Sequence, residues 1–571
     1  MTNMPPKSVF YMNKSKDNQL TVLIPFINEG EEVAATVQDV RRTAGDSVDI
    51  LVVNDCSTDG YEYETELKPY NVTYIYNKEN QGSAPSRDIC VEKCATPYFL
   101  FLDAHMRFFC ENWVEQVVSM LDADDRQLLC MQTFALEKDE KGVRKNPKHV
   151  PTFGAFMPLS MSDYQPDIKW NRKELDFTSS TQKIPMVLGA AYAGSKRYWQ
   201  YLHGMEGLMR YGTEEQFISL KVWLEGGRCV LLKNNVIGHI YRKKSPFKRY
   251  VDVEIFNKLW IVSLLFPPFL KSKSFAIAQK QDFQTFGKAL RILKSKSEEL
   301  IKQKHYFKEI FTRPFDAIIE MNRPLLLAHV KRSPEKNLDK VASVGDFIKA
   351  HVSQHCGLFN GKTGQILWLE HYSRHTGENS WDDLASELWE QVCTAIEDKT
   401  LPWYFSTGLA GIGWALHYLY DRGFLEYLPA DTLEQIDATL LQVSLSKLQD
   451  TSIEFGLAGI LAYCCVRLRF ARECPFHEDT LKELARASEY IINTSNDVRE
   501  LSYAYYWQEL QKGIDDNELP LSLNDVMEFR EAFAENSEYW ENSLEGAALS
   551  TTFMAMILNE KKQCHEQTEQ I

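Results

Sequence analysis

The first hundred residues alternate between short apolar runs and stretches with helical spacing. Leu20–Phe26 is a short apolar run ended by Pro25 and the polar Asn28-Glu29, and it reads as a strand. Glu31–Arg42 follows as a helix. Asp49–Val53 reads as a buried strand that runs into the turn Asn54-Asp55-Cys56-Ser57-Thr58-Asp59-Gly60. Val72–Tyr76 is a third strand, Ser83–Lys93 a helix and Tyr98–Leu102 a fourth strand. Strands separated by helices predict a parallel sheet in a doubly wound α/β domain. Such a domain binds ligands beyond the carboxyl ends of its strands, where Asn28, Asp55 and Asp103 all fall.

The pattern changes near Ser245. Residues 250–340 have helical periodicity punctuated by Pro314 and Pro324, and predict a helical connector with a boundary near Ser333-Pro334. Beyond it the chain reads as wholly helical and internally repetitive. The repeat is a hinge: Gly357-Leu358-Phe359-Asn360-Gly361-Lys362-Thr363-Gly364, then Gly408-Leu409-Ala410-Gly411-Ile412-Gly413, then Gly456-Leu457-Ala458-Gly459-Ile460, with a weaker copy at Leu544-Glu545-Gly546-Ala547-Ala548. The steps between first glycines are 51, 48 and 90 residues, as though one hinge were degenerate. Periods of this size indicate stacked supersecondary units. Three regions are therefore expected: 1–250, 251–340 and 341–571.

The 571 residues, 44% hydrophobic and 25% charged, are those of an ordinary globular protein of two to four domains. A net charge of −15 argues against nucleic acid as partner, since phosphate neutralisation needs a basic footprint. The most apolar stretch, Leu259–Leu270, is broken by Pro267-Pro268 and falls short of the ~20 residues a membrane span needs. The first twenty residues carry no apolar signal segment. The 12 cysteines are scattered without a CxxC pair, which predicts reduced thiols and a cytoplasmic protein.

Candidate chemistry begins at Phe99-Leu100-Phe101-Leu102-Asp103-Ala104-His105. Residues two apart on a strand point the same way, so Asp103 and His105 can converge at the strand's end. A carboxylate with an imidazole suits a first-row divalent ion such as Mn²⁺ better than Ca²⁺.

With the Asn54-Asp55-x-Ser57-Thr58-Asp59-Gly60 turn, this Asp-x-His resembles the nucleotide-sugar domain of family 2 glycosyltransferases, which has the GT-A fold. Two further segments are similar to polypeptide N-acetylgalactosaminyltransferases. Tyr211–Gly227 resembles their W-G-G-E-N-x-E-x-S-x-R-x-W-x-x-G-G segment, and Val236–Phe247 their V-G-H-V-F-R-K-x-x-P-Y segment. The resemblance covers roughly residues 20–250 and implies a metal site of Asp103, His105 and His239, holding Mn²⁺ (or Mg²⁺). It implies donor contacts from Pro25, Asp55, Arg87, Gly189, Trp223, Arg242 and Lys243: Asp55 on the uracil edge beside the Ile24-Pro25 backbone, Arg87 and Arg242 facing the diphosphate, and Trp223 near the leaving group. A metal with Arg242 and Lys243 would stabilise the charge that develops on the departing diphosphate.

Glu214 and Glu215 stand where the polypeptide transferases have Glu-Asn and inverting family 2 enzymes have Glu-Asp. One of the pair is expected to act on the acceptor hydroxyl; the other starts the helix Glu214–Leu224, and stereochemistry stays open. Phe217 also replaces the second Glu of the polypeptide-transferase pattern. Lys183–Ala193 is expected as a small-residue strand along the sugar pocket, where Gly189 and Ala190 admit the ligand. Phe153–Met157 and Trp170-Asn171 fall where an acceptor loop would run. His203 reads as structural.

The glycine hinges resemble lanthionine synthetase C-like proteins, which implies an α/α-toroid, here with fewer repeats than a full one. Those cyclases hold zinc through two Cys and a His, in Trp-Cys-x-Gly and Cys-His-Gly segments. No Trp-Cys-x-Gly exists here, Cys564-His565 is followed by Glu566, and the adjacent Cys464-Cys465 diverge by ~100° on a helix. A docking or scaffolding role is expected rather than zinc chemistry. The combined expectation is an α/β GT-A (Rossmann-like) domain followed by an all-α, partial α/α-toroid domain. Its activity would be metal-dependent transfer of a hexose or N-acetylhexosamine from a UDP-sugar to a peptide, protein or glycan acceptor. Alternatives are a peptide-docking or cyclase-like protein whose first half only binds nucleotide sugar, and a polysaccharide synthase.

Overall fold

The protein is described from a computed structural model. It covers residues 18–513 except 140, 141, 147, 160–164, 175–177, 243, 244, 330–340 and 360, and beyond 513 only residues 521, 522 and 526. Lys243, the Ser333-Pro334 boundary, the Leu544–Ala548 hinge copy and Cys564-His565 lie outside the described residues. The chain divides into two compact units, 1–266 with 282–328, and 267–281 with 329–571. The 251–340 segment is thus shared between them.

The first unit is built on the strands β1 (Leu20–Phe26), β2 (Asp49–Asn54), β3 (Thr73–Tyr76), β4 (Tyr98–Leu102), β5 (Met106–Phe108), β6 (Gln127–Asp139), β7 (Gly142–Lys145), β8 (Ala155–Phe156), β9 (Lys169–Trp170), β10 (Thr181–Lys183), β11 (Ala191–Ser195) and β12 (Arg228–Ile240). The main sheet runs β10-β12-β6-β11-β4-β1-β2-β3, with β5 beside β12 and β7 beside β6. Helices α1 (Glu32–Ala44), α2 (Tyr63–Leu67), α3 (Ser83–Lys93), α4 (Trp113–Ala123), α5 (Lys196–Tyr201) and α6 (Glu214–Glu225) accompany it.

Strands β3, β2, β1 and β4 pair in parallel, as the alternating pattern demands. Past β4 the sheet is mixed, because β11 pairs antiparallel with both β4 and β6. A parallel neighbour needs a crossover connection. β6 and β12 are again parallel to each other, so the expected all-parallel sheet is interrupted by the antiparallel insertion of β11. Leu20, Val22 and Ile24 of β1 pack with Val33, Val37 and Val40 of α1 in one core cluster. Thr21 and Leu23 on the opposite face are buried as well, which is why β1 reads as a mostly apolar run rather than an alternating one.

The remaining helices of this unit are α7 (Val251–Leu265), then, after α8 (Pro268–Gln281) of the second unit, α9 (Phe283–Ser295), α10 (Ser297–Ile310) and α11 (Asp316–His329). Asn257 of α7 is fully buried, accepts from the Met209 amide at 2.9 Å and donates to the Gly212 carbonyl at 3.0 Å. It thereby pins the loop that leads into α6.

The second unit comprises α8, α12 (Val341–Ala350), α13 (Lys362–Thr376), α14 (Asn379–Glu397), α15 (Leu409–Asp421), α16 (Ala430–Leu440), α17 (Leu457–Arg469), α18 (Glu478–Thr494) and α19 (Val498–Leu510). Helices α13, α15, α17 and α19 are buried nearly all round and neighbour one another in that order, while α14, α16 and α18 bury only one stripe. A helix apolar on every side belongs inside, so the alternation is that of inner and outer layers.

The hinges show why the glycines repeat. The amides of Lys362, Leu409 and Leu457 donate to the carbonyls of His355, Pro402 and Asp450 at 2.8, 2.9 and 2.9 Å, seven residues back each time. A Cβ on Gly364, Gly411 or Gly459 would meet the carbonyl oxygen of Leu358, Phe405 or Ile453 at 2.3, 1.9 and 2.2 Å, six residues back each time. The three hinges therefore superpose Gly361, Gly408 and Gly456, which corrects the first repeat step from 51 to 47 residues (408 − 361). The fourth inner helix, α19, begins without glycine; the Asp497 carboxylate caps it by accepting from the Arg499 and Glu500 amides. This is the degenerate hinge. Gly411→Ala should cost about 1–3 kcal/mol, the usual range for overpacking, read as a lower urea midpoint with the far-ultraviolet circular dichroism of the folded state unchanged.

Candidate metal and donor site

The site lies at the carboxyl ends of β1, β2 and β4 together with β12. Asp103 and His105 do not share a strand: β4 ends at Leu102 and β5 begins at Met106. They converge because the intervening turn is pinned at both ends. The Asp103 amide donates to the Ala190 carbonyl at 3.0 Å, and the Ile240 amide to the His105 carbonyl at 3.2 Å. Antiparallel pairing of β5 with β12 sets His239 opposite Met106 and so beside His105.

The result is a cluster in which one ligand atom from each of Asp103, His105 and His239 lies within 4.8 Å of the others. His239 Nε2 is 3.2 Å from Asp103 Oδ2 and 3.1 Å from His105 Nε2. Burial depresses the pKa of both imidazoles. Burial opposes ionisation of Asp103, but the hydrogen bond and charge of His239, with His105 and Arg87, hold its carboxyl below the ordinary range. Two neutral imidazole nitrogens and one carboxylate oxygen at one point form a donor set that fits Mn²⁺. His239 Nε2 donates to Asp103 Oδ2, and Nδ1 is buried without a partner, so ligation through Nε2 would move the ring proton to Nδ1. The donor set fits the implied ion.

The other expected residues separate into those near this point and those spent elsewhere. Pro25 sits at the end of β1, opposite Val53. Asp55 is buried, and its carboxylate accepts from Asn77 Nδ2, Asn80 Nδ2 and the amides of Gln81 and Gly82 at 2.9, 3.0, 2.8 and 2.7 Å. It is the brace of the loop that enters α3. Arg242 pairs with Glu29.

Arg87 donates to Glu215 Oε1 at 2.7 Å, beneath the Gly189 carbonyl, with Cζ 5.7 Å from the Phe101 ring and 5.6 Å from the Tyr192 ring. Burial opposes its charge, yet Tyr192, Glu215, Glu214 and Asp103 more than offset this and raise its pKa well above the ordinary value. Gly189 lies in the turn before β11, not in a strand: the expected strand 183–193 is split into β10 and β11 around this crossing. A Cβ there would sit 2.1 Å from Glu215 Oε1, so glycine makes room for the Arg87–Glu215 pair.

Glu214 and Glu215 are in different surroundings. Glu215 is the partner of Arg87. Glu214 is 2% exposed, accepts from the Gly212 amide at 3.0 Å through Oε2 and leaves Oε1 buried without a partner. Desolvation, with the neighbouring charge of Glu215, raises its pKa to about 7. The preceding Thr213 has φ 72°, an unfavourable left-handed conformation for a β-branched residue. Backbone strain of this kind concentrates where side chains must be aimed. Trp223 is not brought to the cluster. It lies nine residues further along α6, about 13 Å of helix axis, under Arg313, whose Cζ is 5.2 Å from its ring.

Sequence reasoning missed Glu29 and Tyr241. Glu29 Oε2 is 3.1 Å from His105 Nδ1. The Tyr241 ring lies edge-on 4.2 Å from that of His239 and tilted 5.2 Å from that of the 39%-exposed Trp170, in the region expected for an acceptor loop. His203 pairs with Glu206 at the surface, at 2.9 Å.

These features define an α/β domain with a mixed sheet and a candidate divalent-metal site. Residues 21–183 match the family described as Glycosyl transferase family 2, and residues 352–513 match Lanthionine synthetase C-like protein. Over these two stretches the chain is thus similar to family 2 glycosyltransferases and to lanthionine synthetase C-like proteins, in that order. Among curated relatives it is 25% identical to polypeptide N-acetylgalactosaminyltransferase 10 of Rattus norvegicus and of Homo sapiens over 253 residues, 42% of this chain and 40% of each relative. It thus spans less than half the length of these relatives. Human polypeptide N-acetylgalactosaminyltransferase 6 is also 25% identical, over 243 residues, 40% of this chain and 38% of the relative. Among solved structures, GalNAc-T7 with UDP, GalNAc and Mn²⁺ aligns with TM-score 0.46 and 19% identity over 55% of this chain and 58% of that one. Among the described residues no helix is long and apolar enough to cross a membrane.

Proposed function

We propose that the first unit transfers a hexose or N-acetylhexosamine from a UDP-sugar to a peptide, protein or glycan acceptor, with Mn²⁺ or Mg²⁺ held by Asp103, His105 and His239. The observation that carries this reading is the convergence of three ligand atoms from residues up to 136 positions apart at the carboxyl ends of the parallel strands. The bound ion would supply positive charge against the diphosphate.

The chain's own residues account for the rest. The acceptor hydroxyl must lose a proton as its oxygen bonds to the sugar. Glu214, with a pKa near the working pH and a free buried oxygen, is suited to take it. Arg87 holds Glu215 in an ion pair and keeps two neighbouring carboxylates in one place. Arg242, whose Nη2 lies 3.3 Å from His105 Nδ1, would share the charge of a diphosphate bound at the cluster; Lys243 follows it in sequence. Trp170 and Tyr241 offer flat faces beside the metal cluster for a sugar or an aromatic or proline-containing peptide. The relatives act on polypeptides, which favours a peptide or protein acceptor, with the second unit as its docking platform.

Calorimetric titration of UDP with and without Mn²⁺ tests the reading. Mn²⁺ should tighten UDP binding by about 5–150-fold, the common range of coupling between two ligands. His239→Ala should abolish that dependence together with metal-dependent hydrolysis of the donor. Unchanged turnover in His239→Ala would discard the assignment.

A further inference from the structure

We infer that Glu29 is a positioning residue that sets how tightly the Asp103–His105–His239 cluster holds its divalent cation; this rests on the metal reading above. Glu29 lies in the turn between β1 and α1, and its side chain is only 7% exposed. The turn is held independently of the cluster. The amides of Glu29 and Gly30 both donate to Tyr63 Oη at 2.8 and 2.7 Å, and Tyr63 Oη in turn donates to Asp59 Oδ2 at 2.5 Å. Asn28 adds a bond from Nδ2 to the Pro246 carbonyl at 3.1 Å and accepts from the Thr58 amide at 2.7 Å. The carboxylate is therefore presented from a rigid base.

Its oxygen Oε2 faces His105 Nδ1 at 3.1 Å. A proton on Nδ1 donated to that carboxylate leaves the lone pair on Nε2, the nitrogen that faces His239 and Asp103. An outer carboxylate of this kind fixes the tautomer of a metal-binding imidazole, aims its ring and raises its basicity. His239 has no equivalent, since its Nδ1 is buried without a partner. Of the two imidazoles, only His105 has a carboxylate at its outer nitrogen, and Glu29 supplies it.

The same carboxylate has a second partner. Arg242 pairs with Glu29, and its Nη2 lies 3.3 Å from His105 Nδ1. Without the Glu29 charge, a guanidinium would stand uncompensated beside a site for a divalent cation, and like charges at such range repel strongly in partly buried surroundings. Both effects act in one direction: loss of the Glu29 charge weakens the metal. A carboxylate that only braced the turn would leave metal affinity untouched.

The test is a Mn²⁺ titration of the full chain without nucleotide, following the free-ion electron paramagnetic resonance signal. Glu29→Gln should raise the dissociation constant about 10–100-fold, the usual effect of losing such an outer partner. Glu31→Gln, an exposed neighbour paired with Lys138, should not change it. Should Glu29→Gln not fold, Glu29→Asp carries the same test, since its carboxylate falls one methylene short of His105 and should also bind Mn²⁺ more weakly. If Glu29→Gln holds Mn²⁺ as the wild type does while His239→Ala loses it, the role of Glu29 is overturned and the metal cluster stands. If His239→Ala holds Mn²⁺ like the wild type, or the wild type holds none, the cluster itself falls and this inference with it.

Discussion

Glu214→Gln should lower kcat/KM by about 10²–10⁴-fold, the usual contribution of a general base, and should abolish the acid limb of the pH profile. In the wild type the carboxylate form is the active one, so kcat/KM should climb about tenfold per pH unit up to about 7 and then level off. The cause is burial first and the adjacent Glu215 charge second, set against the attraction of Arg87. The sign for stability is the reverse. A carboxyl raised from 4.5 to about 7 on folding costs nothing below pH 4.5, costs progressively more as pH rises, and carries its full penalty above 7. Glu214→Gln should therefore be more stable than the wild type at pH 8, with the advantage vanishing near pH 4. Urea titrations at those two pH values read this directly. A variant that keeps both its rate and its acid limb would remove Glu214 from the chemistry.

Arg87→Met should destabilise the first unit by about 3–5 kcal/mol, the cost of stripping one partner from a buried ion pair. Arg87 and Glu215 have side-chain exposures of 8% and 16%, so little solvent screening moderates the loss. Once the guanidinium is gone, the charges of Glu214 and Glu215 repel with no nearby cation to offset them. Glu215→Gln in the same chain should recover much of that loss, because the orphaned charge is then absent. If the double variant is no more stable than Arg87→Met alone, the ion pair is not what holds this corner together. Activity should fall in both variants, because α6 and the Gly189 turn lose their common anchor.

The chain by itself determined the elements. The limits of Leu20–Phe26, Ser83–Lys93 and Tyr98–Leu102 follow from runs of apolar residues and the polar breaks beside them, and the folded protein keeps those limits. The glycine hinges were legible too, because close backbone approach admits no other residue and so recurs at a fixed spacing. The four parallel strands were predictable from their intervening helices. The antiparallel entry of β11 was not, since nothing in the order of elements says where a strand reached by a long loop will pair.

Only the tertiary structure decided how the site residues divide their work. Asp55 and Arg87 are polar residues near a ligand-binding edge, and sequence alone cannot tell an outward contact from an inward brace. The structure gives Asp55 four internal donors and Arg87 an internal carboxylate. Glu214 and Glu215 are identical in type and adjacent in sequence, yet neighbouring helix positions point about 100° apart. One meets a guanidinium and the other a desolvated pocket, so a difference in pKa and role arises from direction alone. Glu29 carries no motif at all. Its place beside His105 depends on a turn, a tyrosine hydroxyl and a strand end meeting in space, and such meetings are settled by packing rather than by local sequence.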